Sequence, residues 1–262
     1  MTESESESES GSIPVLDHGY VKFIESWGKG EAGVAEAGIV EAARQSTQGS
    51  FRGWDQDSRL LAFLYGSKPP HASPFEFAGM VIEVQAPIFV FREWHRHRTQ
   101  SYNELSARYT PLPDLNYVPY WMDVVRRSTT AAEAKNRQQR SAVEAVVSGE
   151  HAKIWLNDLE TVYGLCQKLY ENGLKLGVPK ELARLPVNVG RYSRMRASAN
   201  LRNWLAFLTL RMDPGAQWEI QQYAAAVGRI IASKFPQTWR LFKPEAEEEA
   251  TNTLTQGLAR PS

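Results

Sequence analysis

Hydrophobic and polar positions follow two different spacings along the chain, and these spacings predict both strands and helices. Extended character is predicted for residues 15–27, 77–84 and 187–197. Helical spacing is found at residues 34–44, 58–66, 87–97, 129–172, 178–185, 200–211 and 216–234. Because the strands and helices mix without a regular strand–helix–strand repeat, the pattern favours an α+β fold over a doubly wound sheet.

Two of the predicted helices carry an apolar face that we expect to be buried. In the second half of the segment 129–172, which Ser148-Gly149 interrupts, apolar residues recur three or four positions apart. These are Trp155, Leu159, Val162, Leu165 and Leu169. The face predicted for residues 216–234 consists of Trp218, Ile220, Tyr223, Val227, Ile230 and Ile231.

The two ends of the chain differ in composition from the body. Residues 1–12 alternate serine and glutamate, and residues 245–262 begin with a glutamate run, so we expect two disordered acidic tails. Residues 13–244 are then expected to form a single domain. The tails hold eight of the 30 acidic residues and one of the 30 basic residues, so the body has 22 acids against 29 bases, a net charge of +7. A basic body attracts nucleotides, folates or nucleic acid, although segregated surface charge alone would give the same count.

Composition also argues against several classes of protein. The longest apolar run, residues 86–91, is far too short to cross a bilayer. The N-terminus has neither the basic start nor the apolar middle of a signal peptide. A single cysteine, Cys166, leaves no internal disulfide and no cysteine-rich metal site. We therefore expect a soluble cytoplasmic protein.

Residues 92–109 carry the highest density of candidate functional side chains. Four arginines, at positions 92, 96, 98 and 108, are spaced by Ser, Asn and Glu. Each guanidinium offers a planar fork that matches phosphate or carboxylate in paired hydrogen bonds. On a helix continuing from Pro87, Arg96 and Arg98 would point roughly 200° apart and could serve two ligands. Taken alone, these arginines are more typical of ordinary surface ion pairs.

The order of residues in this segment resembles the signature of the flavin-dependent thymidylate synthase family. The likeness rests on Arg96-His97-Arg98 followed by Ser106, and it is extended by Ser101, Asn103, Arg108 and Tyr109. Further segments that resemble the family are residues 71–76, 86–90, 179–184, 200–202, 210–211 and 216–219. The matches extend over residues 71–239, so the resemblance is much stronger than one short motif.

The resemblance implies a fold, an assembly and two ligand sites. The fold is a mixed sheet with surrounding helices, and the assembly is a homotetramer whose active sites combine residues of neighbouring subunits. The implied FAD contacts are Ser73, Arg96, His97, Arg98, Glu104, Asn200 and Arg202. The implied contacts to a uridine monophosphate are Glu93, Trp94, His95, Arg96, Glu104, Leu105, Ser106, Ala107, Arg108, Arg184 and Arg211.

The implied reaction is reductive methylation of the nucleotide at C5. NADPH reduces FAD, methylenetetrahydrofolate supplies the carbon, and hydride from the reduced flavin completes the methyl group. Arg211 is the candidate for stabilising negative charge on the uracil, and Ser106 for positioning the nucleotide. Ser106 as a covalent nucleophile is an alternative, but no base stands beside it in sequence. Arg202 and Arg211 are nine residues apart, about 900° of helix, so one can face flavin while the other faces substrate.

Two positions depart from the family pattern. Ala206 stands where many members have Asn or His beside the flavin, and Gly215 stands where many have His after the last arginine. Both replacements remove larger side chains near the implied ligands. The family default is dUMP, and related enzymes of nucleoside-antibiotic synthesis methylate UMP, so we expect activity on dUMP with appreciable acceptance of UMP.

The sequence also offers candidates for a metal site and for a cysteine nucleophile. His95 and His97 flank Arg96, but residues i and i+2 of a helix do not share a face, so no metal site is expected. Cys166 lies in an apolar helical setting and is expected to be a buried packing residue rather than a nucleophile.

Nucleic-acid binding is an alternative from a different class of function. Basic residues interleaved with Trp94, Tyr102 and Tyr109 could stack bases and hold phosphates. No recognised nucleic-acid-binding motif accompanies them. A polynucleotide site would show steep salt dependence and no bound chromophore.

Overall fold

The structure is a computed structural model that describes residues 11–30, 35–133 and 146–243. The predicted tails therefore lie outside the described residues, except that residues 11 and 12 are described and Ser12 already pairs with Lys22 in the sheet. The predicted helix start at residue 34 and the segment 134–145 also lie outside them. Within the described ranges, no helix is both long and apolar enough to span a membrane.

Five strands and nine helices make up the described regular structure. The strands are β1 (Ser12–Val15), β2 (Gly19–Trp27), β3 (Gly79–Pro87), β4 (Ser101–Glu104) and β5 (Tyr192–Asn200). The helices are α1 (Ala37–Arg44), α2 (Trp54–Gly66), α3 (Ile88–Trp94), α4 (Trp121–Glu133), α5 (Gly149–Lys175), α6 (Lys180–Ala183), α7 (Leu201–Arg211), α8 (Trp218–Lys234) and α9 (Pro236–Phe242). Short 3₁₀ helices cover Gln45–Thr47 and Ser73–Phe77.

The strands form one sheet in the order β1-β2-β3-β5-β4, and all four neighbouring pairs are antiparallel. The expected α+β class is confirmed, whereas the expected mixed sheet is wrong. The reason is visible at the end of β2, where Trp27 pairs with Gly79, the first residue of β3. The connection through α1 and α2 returns the chain to the same end of the sheet, so β3 runs back along β2 instead of beside it in parallel.

Helices α7 and α8 build the core beneath the sheet. The predicted apolar face of α8 is confirmed, because Ile220, Tyr223, Val227, Ile230 and Ile231 are buried and Trp218 is half-buried. Helix α7 begins where predicted: Asn200 Oδ1 accepts a hydrogen bond from the Asn203 backbone N–H at 3.0 Å and caps the helix. Asn200 also ends β5, so the sheet leads directly into α7.

Helix α5 begins at the predicted break, where Ser148 caps it, but its predicted buried stripe is wrong. Trp155, Val162, Leu165 and Leu169 are exposed, with Leu169 at 63%, and Leu159 is only half-buried. The face that packs against the chain instead carries Ala152, Leu156 and Tyr170. This face lies about 90° around the helix from the stripe. The helical spacing is therefore correct, but it marks an apolar face that the described residues of this chain do not cover.

The helix expected over residues 87–97 is shorter than predicted. Ala86 and Pro87 end β3, paired with Ser193 and Tyr192, and α3 covers only Ile88–Trp94. Residues 95–100 form turns, and the polar stretch after them supplies β4. The argument that Arg96 and Arg98 lie on a continued helix therefore does not apply.

Candidate active site

The signature residues 92–109 cross from the end of α3 to the sheet edge. Strand β4 pairs with β5 in the register Ser101↔Ser198 to Glu104↔Met195. The Tyr102 hydroxyl lies 2.7 Å from the carbonyl oxygen of His97 and 3.1 Å from that of Trp94. Burial raises the pKa of Tyr102 to about 12, which keeps this hydroxyl protonated as a donor. The turn that carries Arg96 and Arg98 is thereby fixed to the sheet.

Trp94 anchors the same turn to the core. Its indole is fully buried, stacks on Phe207 with ring centroids 4.6 Å apart, and donates to Gln100 Oε1 at 3.0 Å. Any contact of Trp94 with a nucleotide would therefore come from its main chain. His95 is half-buried and packs edge-on against Tyr102 at 4.8 Å.

Four arginines of the signature are exposed and form no ion pair with any described acidic residue: Arg92, Arg96, Arg98 and Arg108. Arg108 lies over the Tyr109 ring at 5.6 Å. Positive charge that no carboxylate neutralises favours an anionic ligand. The arrangement suits phosphate better than it suits a network of surface ion pairs.

Arg211 is held by two residues of the signature. Its Nε donates to His97 Nε2 at 2.8 Å, Nη1 donates to Glu93 Oε2 at 2.7 Å, and Nη2 donates to the Glu93 carbonyl oxygen at 2.9 Å. Burial, and then the positive charge of Arg211, lower the pKa of His97 to about 4, against the opposing effect of Glu93. His97 is therefore a neutral acceptor at pH 7, and it fixes the guanidinium without a second positive charge.

A cleft of about 310 Å³ contains several of the predicted nucleotide contacts. Its lining residues are Ile88, Glu104, Leu105, Ala107, Leu112, Arg184, Leu185, Val187 and Ser193. Ser106, whose Oγ accepts from the Arg108 backbone N–H at 3.4 Å, lies in the same turn as Ala107. Glu93, His97 and Arg211 do not line this cleft. One chain therefore presents the predicted nucleotide contacts as two groups.

The predicted flavin contacts outside the signature lie together at the start of α7. Arg202 forms an ion pair with Glu76, which is in the same 3₁₀ helix as Ser73. The Leu201 N–H donates to the Ala78 carbonyl oxygen at 2.7 Å. Because Ala78 directly follows the 3₁₀ helix, this bond holds the 3₁₀ helix beside Asn200. As expected from helix geometry, Arg202 and Arg211 have entirely different partners.

The remaining features are the two positions that depart from the family pattern, the single cysteine and the possibility of a metal site. Ala206 is exposed one turn after Arg202, and the Gly215 N–H donates to Asp213 Oδ1 at 2.7 Å. Cys166 is half-buried rather than fully buried. Among the described residues, no cluster of three or more His, Cys, Asp or Glu side chains could hold a metal ion.

Sequence reasoning missed the residues that support the loop of residues 109–118. Arg191 is buried and donates to the Pro113 carbonyl oxygen of this loop at 2.8 Å. Asp17 accepts from the Val118 N–H at 3.0 Å and from the Tyr192 hydroxyl at 2.5 Å. Glu219, also buried, pairs with Arg127 and lies 3.3 Å from the Tyr117 hydroxyl. These partners are distant in sequence, so no local spacing identifies them.

With this geometry in place, comparison with known proteins defines the class. A sequence profile of the family described as thymidylate synthase complementing protein matches residues 31–237. The chain belongs to this family.

Individual relatives narrow the likeness further. The flavin-dependent thymidylate synthase of Thermus thermophilus is 36% identical over 245 residues, which cover 93% of this chain and 83% of the relative. That of Thermotoga neapolitana is 35% identical over 230 residues, covering 88% and 93%. Among solved structures, the UMP/dUMP methylase PolB from Streptomyces cacaoi bound with 5-Br UMP has a TM-score of 0.72 and 29% identity, covering 88% of this chain and 96% of PolB. The same enzyme bound with 5-Br dUMP also has a TM-score of 0.72, at 28% identity.

Proposed function

We propose that this chain is a flavin-dependent enzyme that methylates C5 of a uridine monophosphate. Methylenetetrahydrofolate supplies the carbon, NADPH supplies the electrons, and conversion of dUMP to dTMP is the default reaction. The observation that carries the proposal is the cleft lined by Glu104, Ala107 and Arg184 in a member of this family, beside a signature whose arginines are intact.

The cleft suits a mononucleotide in size and chemistry. Its volume of about 310 Å³ lies at the lower end of the ~300–1,000 Å³ typical of small-ligand pockets. Leu105, Leu112 and Val187 provide apolar walls for a pyrimidine ring. Arg184 on one side and Arg108 at the adjoining turn supply charge for the phosphate.

The exposed arginines also fit a flavin dinucleotide, whose diphosphate is an anion. Arg96, Arg98 and Arg202 would hold phosphate oxygens, and Ser73, His97, Glu104 and Asn200 would supply the other polar contacts. Asn200 uses its Oδ1 to cap α7, so its Nδ2 is the group left for a ligand. Bound FAD supplies the redox chemistry by which electrons from NADPH reach the new methyl group.

Arg211 has the geometry of a fixed charge stabiliser. Three of its five N–H groups are used by Glu93 and His97, which leaves two for a ligand. A guanidinium held in place before the reaction stabilises negative charge on a polarised uracil without reorganising. Ser106 positions the nucleotide by hydrogen bonding.

The proposed assembly is a homotetramer with shared active sites. The cleft and the Arg211 group are separate within one chain, so a second subunit is needed to complete a site that uses both. The exposed apolar stripe on α5, which includes Trp155, Val162 and Leu165, is a surface of the kind that subunits cover.

Acceptance of UMP is a second candidate activity, which the UMP/dUMP methylase neighbour supports. Nucleic-acid binding has less support, because a stacking platform needs exposed rings. The Trp94 indole is buried, the Tyr102 hydroxyl is bonded to the turn, and only Tyr109 of the three rings is exposed, at 75%.

Reconstitution with FAD tests the proposal. We expect the purified chain to bind FAD, seen in its visible absorbance, and to oxidise NADPH when dUMP is present. Competition of dUMP and UMP at equal concentration then gives the ratio of their kcat/KM values. Absence of flavin binding would overturn the proposal that the chain is a flavin-dependent enzyme. Strict rejection of UMP would overturn only the proposal that the chain accepts both nucleotides.

A further inference from the structure

Arg191 is a buried arginine to which the proposed reaction gives no role. It directly precedes β5, and its side chain is 1% exposed. Nη1 donates to the Pro113 carbonyl oxygen at 2.8 Å and lies 2.9 Å from Asp114 Oδ1, and Nη2 donates to Gln167 Oε1 at 2.7 Å. Its Nε is buried without a hydrogen-bond partner, so Nη1 and Nη2 make all of the contacts that hold the guanidinium. Because an unpaired buried guanidinium is unfavourable, these contacts favour one position of the chain around it.

The main chain beside Arg191 holds the same loop, residues 109–118. The Tyr192 N–H donates to the Leu115 carbonyl oxygen at 2.8 Å, and the Tyr117 N–H donates to the Gly190 carbonyl oxygen at 2.9 Å. On its other side, the Arg191 carbonyl oxygen accepts from the Ile88 N–H at 3.0 Å. Arg191 therefore joins the 109–118 loop to the start of α3, and through Gln167 to α5.

Both of the joined segments line the cleft. Leu112 comes from the 109–118 loop, and Ile88 comes from α3. The loop also follows directly after Ala107 and Arg108, which are predicted nucleotide contacts. A displacement of the loop would therefore move one wall of the cleft and the turn that carries Arg108.

We propose that Arg191 is a positioning residue that sets the width of the nucleotide cleft by fixing the 109–118 loop. This proposal rests on the proposed function, because the ligand of the cleft is taken to be a uridine monophosphate. This role needs an arginine, because the two ends of its planar guanidinium bond to Pro113 in the loop and to Gln167 in α5 at the same time. Methionine would fill similar space but leave the Pro113 carbonyl and the Gln167 amide without their donor.

The variant Arg191→Met tests the proposal through two readouts. In the nucleotide-free protein, we expect chymotrypsin to cut after the buried Tyr117 about tenfold faster than in the parent, because the loop is released. In steady-state kinetics, we expect the nucleotide KM to rise about tenfold, while kcat and the FAD Kd change less than about twofold. Arg191→Lys keeps the charge but not the planar fork, so its cleavage rate and its nucleotide KM should lie between those of the parent and those of Arg191→Met.

Arg44→Met is the matched control, because Arg44 pairs with the buried Asp57 and neither residue lines the cleft. It should lower the thermal midpoint without changing the nucleotide KM. If Arg191→Met does not fold, Asp114→Ala removes the half-exposed partner from the same loop and should raise the KM about threefold. An unchanged KM in the folded variant, or an equal rise in the Arg44 control, would overturn the proposal. If the parent methylates no nucleotide, the proposed function fails, while cleavage after Tyr117 still decides whether Arg191 fixes the loop.

Discussion

Replacing Arg211 with alanine removes the guanidinium that links α7 to the signature. In the folded protein the change deletes hydrogen bonds of 2.7, 2.8 and 2.9 Å to Glu93 and His97. A hydrogen bond to a charged group contributes about 1.5–3 kcal/mol when well buried. The Arg211 side chain is 14% exposed but that of Glu93 is 42% exposed, so solvent screening reduces the expected loss of unfolding free energy to ~1–2 kcal/mol.

The effect of Arg211→Ala on the reaction should be larger than its effect on stability. Loss of one fixed donor to a developing negative charge typically costs about 10²–10³ in rate, so we expect single-turnover methyl transfer to slow by that factor. The FAD Kd should change by less than about twofold, because His97 is the one predicted flavin contact that Arg211 bonds, and packing of the His97 ring against Phe207 at 4.9 Å still holds it.

The assays are single-turnover methyl transfer, flavin titration by absorbance and urea unfolding at pH 7. Arg229→Ala is the matched control, because Arg229 is an exposed arginine on α8 that neither lines the cleft nor bonds to Arg211. Its methyl-transfer rate should equal that of the parent. Methyl transfer within about tenfold of the parent in Arg211→Ala, or loss of flavin binding as severe as loss of rate, would refute the assigned role.

Three further predictions follow from individual side chains. Arg202→Ala should weaken FAD binding by about tenfold in an absorbance titration, and unchanged binding would contradict its flavin role. Cys166→Ser should keep methyl transfer within about twofold, because the proposed chemistry uses no thiolate, and an inactive but folded variant would reject that mechanism. The folded pKa of His97, about 4, lies below the unfolded value, so its contribution to stability is complete above about pH 6.5 and is lost as the pH falls toward 4. Urea unfolding at pH 7 and pH 5 should show a loss of roughly 1 kcal/mol that is absent in a folded His97→Gln variant.

Local rules were sufficient for the elements that lead into the site. Helical spacing predicted α7 and α8 correctly, because amphipathicity is encoded by neighbouring residues. The cap that Asn200 provides to α7 is a local contact of the same kind. The same helix geometry predicted different partners for Arg202 and Arg211. Both arginines lie on a regular helix, so their separation in sequence sets their directions.

Features that depend on distant partners could not be predicted in this way. The end of α3 depends on Trp94 packing against Phe207, a contact between residues 113 positions apart, and no local pattern of residues 95–98 indicates it. The apolar stripe on α5 has helical spacing whether its own chain or another subunit covers it. Arg191 looks like any surface arginine in sequence, and only the fold places it beside Pro113 and Gln167.

The flavin-dependent methylation of a uridine monophosphate is tested most directly by identifying the products of a complete reaction by mass spectrometry. Purified chain, FAD, NADPH and methylenetetrahydrofolate are incubated with dUMP, and in parallel with UMP, and FAD is left out of a control. We expect a nucleotide heavier by one CH₂ unit at C5, with tetrahydrofolate as the folate product, only when FAD and NADPH are present. NADPH oxidation with no methylated nucleotide, or methylation that proceeds without flavin and yields dihydrofolate, would contradict this expectation.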